Sequence, residues 1–244
     1  MFSQFVDNIL RIGWSLSIPR QVRRLAKDVR ARHLTYLSED RILTLGRMCV
    51  ENERTNRSGI IVEAGCALGG SAIVICSAKR PVRKLFLYDV FATIPPPSKD
   101  DGPEVHERYQ TIRTGMAKGI GGDTYYGYVD NLYEKVKGAF SELGFPTEEN
   151  KVHMVKGMIQ DTLHLDQAVC LAHIDVDWYE PVKICLERIE PWLVVGGAIV
   201  IDDYNDWSGC RKAVDEYFST KDSAMYEFKS PAGALIITKL RLAS

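Results

Sequence analysis

Four aspartates stand at the ends of two apolar runs: Asp175 and Asp177 in HIDVDWYE (173–180), and Asp202 and Asp203 in AIVIDDYND (198–206). Carboxylates gathered in one place repel one another unless a positive charge lies between them. Side chains at i and i+2 of a strand point the same way, so Asp175 and Asp177 share a face if their strand persists to residue 177. Adjacent Asp202 and Asp203 cannot share a face within a strand, which places them where the second run breaks into its loop. Where the two runs are neighbouring strands, both pairs meet at one sheet edge. An oxygen-rich, histidine-poor cluster suits a hard cation such as Mg²⁺ or Ca²⁺. The competing reading is that the aspartates only cap the helices that follow. Asp206 and Glu180–Pro181 are better placed for capping, proline being a natural first-turn residue.

The elements that must hold these groups follow from hydrophobic periodicity. GIIVEAG (59–65), KLFLYDV (84–90), KVHMVKG (151–157), AVCLAHIDV (168–176) and GGAIVIDDY (196–204) read as strands buried on both faces. Helical patterns at 70–79, 129–143, 180–191 and 207–219 alternate with them, the βαβ rhythm of a parallel sheet with helices on both sides. At the end, AMYEFKS, a Pro-Ala-Gly turn and ALIITKL read as an antiparallel hairpin, giving a mostly parallel seven-stranded sheet. Two helical segments, about 20–32 and 38–55, precede the first strand and make residues 1–55 an N-terminal helical extension. From Pro95 to Tyr128 the chain is too long for an ordinary βα connection, with three consecutive prolines, a helical piece near 104–118 and glycines at 119, 121 and 122. Insertions of that kind act as lids or binding loops. With no internal repeat or low-complexity linker, the expectation is one domain, 1–244, carrying a lid over 95–128.

Composition sets the limits. A formal net charge of −1 on 244 residues gives no reason to expect nucleic acid or a bulk anionic surface as partner. The six cysteines lie at 49, 66, 76, 170, 185 and 210 without C-x-x-C or metal-ligand spacing, and several sit in apolar runs, which fits a reducing cytoplasm. No signal peptide or membrane span is visible. The basic, amphipathic start (Arg20, Arg23, Arg24, Lys27, Arg30) could lie on a membrane surface, but a helix packing on the domain or on a second subunit is the simpler expectation.

In a doubly wound sheet the ligand sits beyond the carboxyl ends of the strands. The first strand ends in VEAGCALGGS (62–71), whose Gly65, Gly69 and Gly70 allow a tight turn and a close backbone approach without spelling the dinucleotide fingerprint. A pyrophosphate would be repelled by Glu63. S-adenosylmethionine has no phosphate and carries an ammonium that a carboxylate can hold. Asp89, at the end of the second strand, can accept both ribose hydroxyls, though it would serve NAD equally. Gly157 permits the adenine to approach, and Asp161 can accept from its amino group. Gly65, Gly69, Ser71 and Asp175 complete the expected cofactor contacts.

In that order and spacing, VEAGCALGGS, DVFATIPPP, GMIQDTL, HIDVDWYE and VVGGAIVIDDY resemble the macrocin O-methyltransferase family over roughly residues 35–220. The resemblance implies a Rossmann-like class I methyltransferase fold and S-adenosylmethionine- and Mg²⁺-dependent methylation of sugar hydroxyls on natural products. It also implies Asp175, Asp202 and Asp203 as metal ligands and Asp177 as general base. The chain departs from the family pattern at Val176, where glycine is usual, at Val90, where serine is common, and at His173 and His164.

Methyl transfer needs an in-line approach, and a cation gripping two adjacent oxygens would fix geometry and lower a hydroxyl pKa. A catechol or other vicinal diol would be served by the same arrangement. His106, His153 and His173 are alternative bases. A silent cofactor-binding scaffold and a metal-dependent hydrolase are the readings of other classes; Glu63 and Asp89 argue against the second. The expected partner is a small-molecule acceptor, and the expected assembly is a homodimer or larger homo-oligomer.

Overall fold

The computed structural model describes residues 18–241. Among them, seven strands form one sheet: β1 (Ile60–Ala64), β2 (Leu85–Asp89), β3 (Val152–Lys156), β4 (Val169–Ile174), β5 (Leu193–Ile201), β6 (Tyr226–Lys229) and β7 (Leu235–Lys239). Their order is β3-β2-β1-β4-β5-β7-β6. The first five run parallel, and β7 pairs antiparallel with both β5 and β6. This is the Rossmann-like sheet with its reversed C-terminal hairpin.

Alternate residues of each strand feed opposite layers, as the two-residue period of a strand requires. Ile61, Leu87, Leu171 and Val200 join the layer under α1 (Arg20–Ala31), α2 (Glu39–Arg54), α3 (Gly70–Ala78) and α5 (Leu132–Glu142). Val62, Tyr88, Ala172 and Ile199 face the layer built with α6 (Ile159–Thr162), α7 (Tyr179–Ile189) and α8 (Ser208–Ser219). α4 (Pro103–Arg113) lies between β2 and α5 in the chain, within the insertion read as a lid.

Two strand expectations need correction. KVHMVKG is not buried on both faces: β3 is an edge strand, and only Val152 along it is buried. The last parallel strand runs over 193–201 rather than 196–204. Gly196 takes φ +75°, and the pairing with β4 jumps from Val169↔Leu193 to Leu171↔Ala198, so extra residues are absorbed inside the strand. The helix at 20–31 does pack on the domain. Val22, Leu25, Ala26 and Val29 are buried in the α1 face. Residues 1–17, the start of that amphipathic stretch, lie outside the described residues. No described helix is long and apolar enough to cross a membrane.

Candidate active site

Strand register brings the acidic pairs together. Ala64 of β1 pairs with Ile174 of β4, which pairs with Ile201 of β5. Gly65, Asp175 and Asp202 are therefore the first residues beyond three adjacent strand ends. The Asp175 N–H donates to the Ala64 carbonyl at 2.9 Å, and the Asp202 N–H to the Ile174 carbonyl at 3.0 Å. Asp175, Asp202 and Asp203 each offer a carboxylate oxygen within 4.8 Å of the others. Asp177 arrives by a different route from the one its spacing suggested. β4 stops at Ile174, so Asp175 and Asp177 are not a strand pair. Instead Asp177 adopts a left-handed φ of +57°, which turns the chain back. Its N–H donates to Asp203 Oδ2 at 3.3 Å, and its Oδ1 accepts from Trp207 Nε1 at 2.9 Å.

Electrostatics reflect this crowding. Burial first, and then the neighbouring carboxylates, hold Asp175 and Asp203 well above the usual carboxylate range. Burial also raises Asp177, to about 6, against the Trp207 hydrogen bond and the Arg108 charge. Asp202 is raised by burial but opposed by His173 and Arg41. Arg41 Nη1 lies 2.8 Å from Asp202 Oδ2, and Nη2 lies 3.0 Å from Asp206 Oδ2.

The expected cofactor residues divide. Gly65 has φ +79°, and a Cβ there would lie 1.8 Å from the Asp175 carbonyl oxygen, so only glycine lets the first loop pack on the β4 end. Gly69, at φ +85°, caps α3. Asp89 sits at the cleft, where its Oδ2 accepts from the Cys66 and Ala67 N–H groups at 2.8 and 3.1 Å and its Oδ1 from Phe91 N–H at 2.6 Å. It shapes the loop as well as facing the cavity, and a carboxylate has about four acceptor sites, so capacity for a hydroxyl remains. Gly157, φ +150°, donates its N–H to the Asp89 carbonyl at 3.0 Å.

Four expected contacts lie off the cavity lining, Gly69 at the head of α3 being one of them. Glu63 is 0 % exposed and accepts from His173 Nδ1 at 2.7 Å, beneath the loop. Burial disfavours the charged imidazole, but Glu63 overrides it and raises the His173 pKa. One oxygen of Glu63 and Nε2 of His173 have no partner. Ser71 is buried in the first turn of α3, away from the cavity lining. Asp161 is exposed, and Gln160 lines the cavity in its place. His106 and His153 also lie off the lining; His153 stacks on Phe86 at 4.7 Å.

Two adjoining cavities share Gly65, Asp89, Tyr126, Asp175, Asp177 and Trp178. One, of about 110 Å³, is an apolar slot walled by Tyr88, Ile94, Pro95 and Met158. The other, of about 380 Å³, has the four aspartates on its floor, with Tyr36, Tyr125, Trp207, Arg41 and Arg108 around it.

Capping falls to neither Asp206 nor Glu180. The N-caps of α7 and α8 are Trp178 and Trp207, which offer no side-chain cap. The insertion caps both helices instead. Asp101 Oδ1 accepts from Tyr179 N–H at 2.7 Å, and Glu104 Oε1 accepts from Ser208 N–H at 3.2 Å. Trp178 Nε1 donates to the Pro95 carbonyl at 2.9 Å. The base of the insertion is thus tied to the two helices that follow the acidic pairs.

Arg41, Tyr126, Trp178 and Trp207 escaped the sequence reading. The two tryptophans each follow an acidic pair by a few residues, a signal that was available. Arg41 and Tyr126 reach the site from distant elements, and nothing local marks them.

The sequence profile described as macrocin-O-methyltransferase (TylF) matches residues 14–225. Demethyldecarbamoylnovobiocin O-methyltransferase of Streptomyces niveus is 28 % identical over 211 residues, covering 84 % of this chain and 75 % of that protein. The 8-demethyl-8-(2,3-dimethoxy-alpha-L-rhamnosyl)-tetracenomycin-C 4'-O-methyltransferase of Streptomyces olivaceus is 28 % identical over 165 residues, covering 65 % of this chain and 58 % of that protein. Among solved structures, the O-methyltransferase NovP superposes with a TM-score of 0.69 at 25 % identity, over 85 % of this chain and 82 % of that one. With a profile match running from the N-terminal helices through the sheet and both acidic pairs, the chain belongs to the macrocin O-methyltransferase family and is an O-methyltransferase.

Proposed function

We infer that the chain moves the methyl group of S-adenosylmethionine to one hydroxyl of a vicinal diol, with Mg²⁺ bound by Asp175, Asp202 and Asp203. The diol belongs to a sugar of a natural product or glycan, in keeping with the acceptors named for its relatives. The observation that carries this reading is the acidic triad, with oxygens within 4.8 Å, which lines the wider cavity and through Asp175 adjoins the apolar slot.

The residues fit both groups. Three crowded carboxylates, all raised by burial and two of them, Asp175 and Asp203, also by neighbouring carboxylates, are what a cation offsets. All-oxygen donors select a hard ion. The slot beside Asp89, with bare backbone at Gly65 and Gly157, suits an adenosine whose ribose hydroxyls donate to Asp89. Asp175, adjoining Gly65, is the acid at hand for the ammonium; Glu63 is sealed against His173. When bound, S-adenosylmethionine supplies the electrophilic methyl, and Mg²⁺ orients two adjacent oxygens and lowers a hydroxyl pKa.

The chain supplies the rest. Trp207 fixes Asp177 through Oδ1, leaving the other oxygen to take the hydroxyl proton. With its pKa near 6, Asp177 is ionised at neutral pH and poised as a base. Tyr126 lines both cavities and forms a wall common to the slot and the acidic site. The test is mass spectrometry of glycosides and catechols incubated with the enzyme, S-adenosylmethionine and Mg²⁺, with and without EDTA. An accepted substrate should lose turnover when only the neighbouring hydroxyl is removed. Full activity in EDTA, or undiminished methylation of the mono-hydroxyl analogue, overturns the metal-chelate reading.

A further inference from the structure

Arg41 is built into the acidic site from three directions. It stands in the first turn of α2, opened by Ser38, whose side chain accepts from the Arg41 N–H at 3.3 Å. Its guanidinium reaches Asp202 at 2.8 Å, Asp206 at 3.0 Å and, through Nε, the Ala232 carbonyl at 3.3 Å. The turn between β6 and β7 is shaped around it. Ala232 holds an uncommon left-handed φ of +57°, and a Cβ on Gly233 would come within 2.9 Å of Arg41 Nη2. Asn205, between the two aspartates that Arg41 binds, donates to the Gly233 carbonyl at 2.8 Å and holds turn and acidic loop together. The side chains of Arg41 and Asp202 are only 18 % and 7 % exposed, so solvent screens the pair weakly.

Resting on the metal reading above, we propose that Arg41 is the resident counter-charge of the cation site. It holds Asp202 oriented before the ion arrives, and its charge lowers the affinity for that ion. Two effects oppose each other on its removal. Loss of orientation weakens binding, as loss of an outer hydrogen-bond partner generally does. Loss of a positive charge beside a ligand strengthens it, and removing Arg41 also frees Asp206 as a further unpaired carboxylate. A divalent ion feels the charge change doubly in a poorly screened site, so the charge effect wins. The consequence for function is an ion held loosely enough for acceptor and product to exchange at it.

The test uses Mn²⁺ as probe, titrated into the full-length protein by electron paramagnetic resonance, with S-adenosylhomocysteine affinity measured on the same samples. Arg41→Gln should bind Mn²⁺ about tenfold more tightly or better. It should keep S-adenosylhomocysteine affinity within about twofold and melt at a lower temperature without metal, with excess Mn²⁺ restoring the loss. Arg41→Lys, which keeps the charge, should bind Mn²⁺ nearly as the wild type does. A general structural lesion cannot tighten ion binding, so the direction of the change separates the two roles. Should Arg41→Gln fold poorly, Asp206→Asn provides the converse, with weaker Mn²⁺ binding. Unchanged or weaker Mn²⁺ affinity in Arg41→Gln, or Arg41→Lys behaving like Arg41→Gln, overturns the proposal. If the wild type shows no Mn²⁺ signal that Asp203→Asn abolishes, the metal reading itself fails, and this inference with it.

Discussion

Replacing Asp203 by asparagine should stabilise the metal-free protein while abolishing its response to Mg²⁺. Asp203 is 7 % exposed, and its carboxylate lies within 4.8 Å of those of Asp175 and Asp202. Two full charges at that distance repel by about 3 kcal/mol at an effective dielectric of about 20. Part of this is already relieved, because Asp175 and Asp203 are held well above the usual carboxylate range. Some is also lost with the weak bond from the Asp177 N–H at 3.3 Å. A net gain of about 1–3 kcal/mol near pH 8 follows, or roughly 3–8 °C in melting temperature for a chain of this size. The pH dependence has a definite sign. A carboxyl whose folded pKa is raised favours the fold at acid pH, and that contribution is lost as pH climbs through the raised value. Metal-free wild type should therefore lose stability from the ordinary carboxylate range near 4 upward, through about 6 where Asp177 titrates and beyond. The advantage of the variant should grow over the same window. Differential scanning fluorimetry across pH, with EDTA or with Mg²⁺, measures all of this. Saturation at about 100 times Kd should add about 2.7 kcal/mol to the wild type and almost nothing to the variant. A metal-free variant less stable than wild type at every pH, or equal Mg²⁺ shifts in both, would refute the reasoning.

Asp177→Asn should lower turnover by about 10²–10⁴-fold while leaving Mn²⁺ affinity intact, and equal loss of metal affinity would make Asp177 a ligand instead of the base. Gly65→Ala should cost about 3 kcal/mol or more, because its Cβ would meet the Asp175 carbonyl at 1.8 Å from a left-handed backbone; a wild-type melting curve would refute that tight packing. Hydrogen exchange should show protection on binding S-adenosylhomocysteine and acceptor chiefly over residues 114–125, since Asp101 and Glu104 already tie the base of the insertion to α7 and α8. Uniform protection across 95–125 would indicate that the whole segment closes as one body.

The sequence by itself determined the layered architecture, because strand and helix periodicities are local and every buried strand residue must face one layer or the other. It also marked both acidic pairs, since carboxylates at the ends of apolar runs are conspicuous wherever the chain folds. Periodicity could not say where a strand stops. β4 ends at Ile174 and β5 at Ile201, and the register between them, more than the alternation of side chains, aligns Asp175 with Asp202. Nor could spacing reveal that Glu63 would be claimed by His173, because the pairing of β1 with β4 across 110 positions of sequence sets those two side by side. The helix caps followed the same rule. Local sequence pointed to Asp206 and Glu180, yet Asp101 and Glu104 reach in from the insertion, and Asp206 is bound to Arg41. Charge and hydrogen-bonding capacity are written in the residue, but the partner that satisfies them is chosen by whichever element the tertiary fold brings nearest.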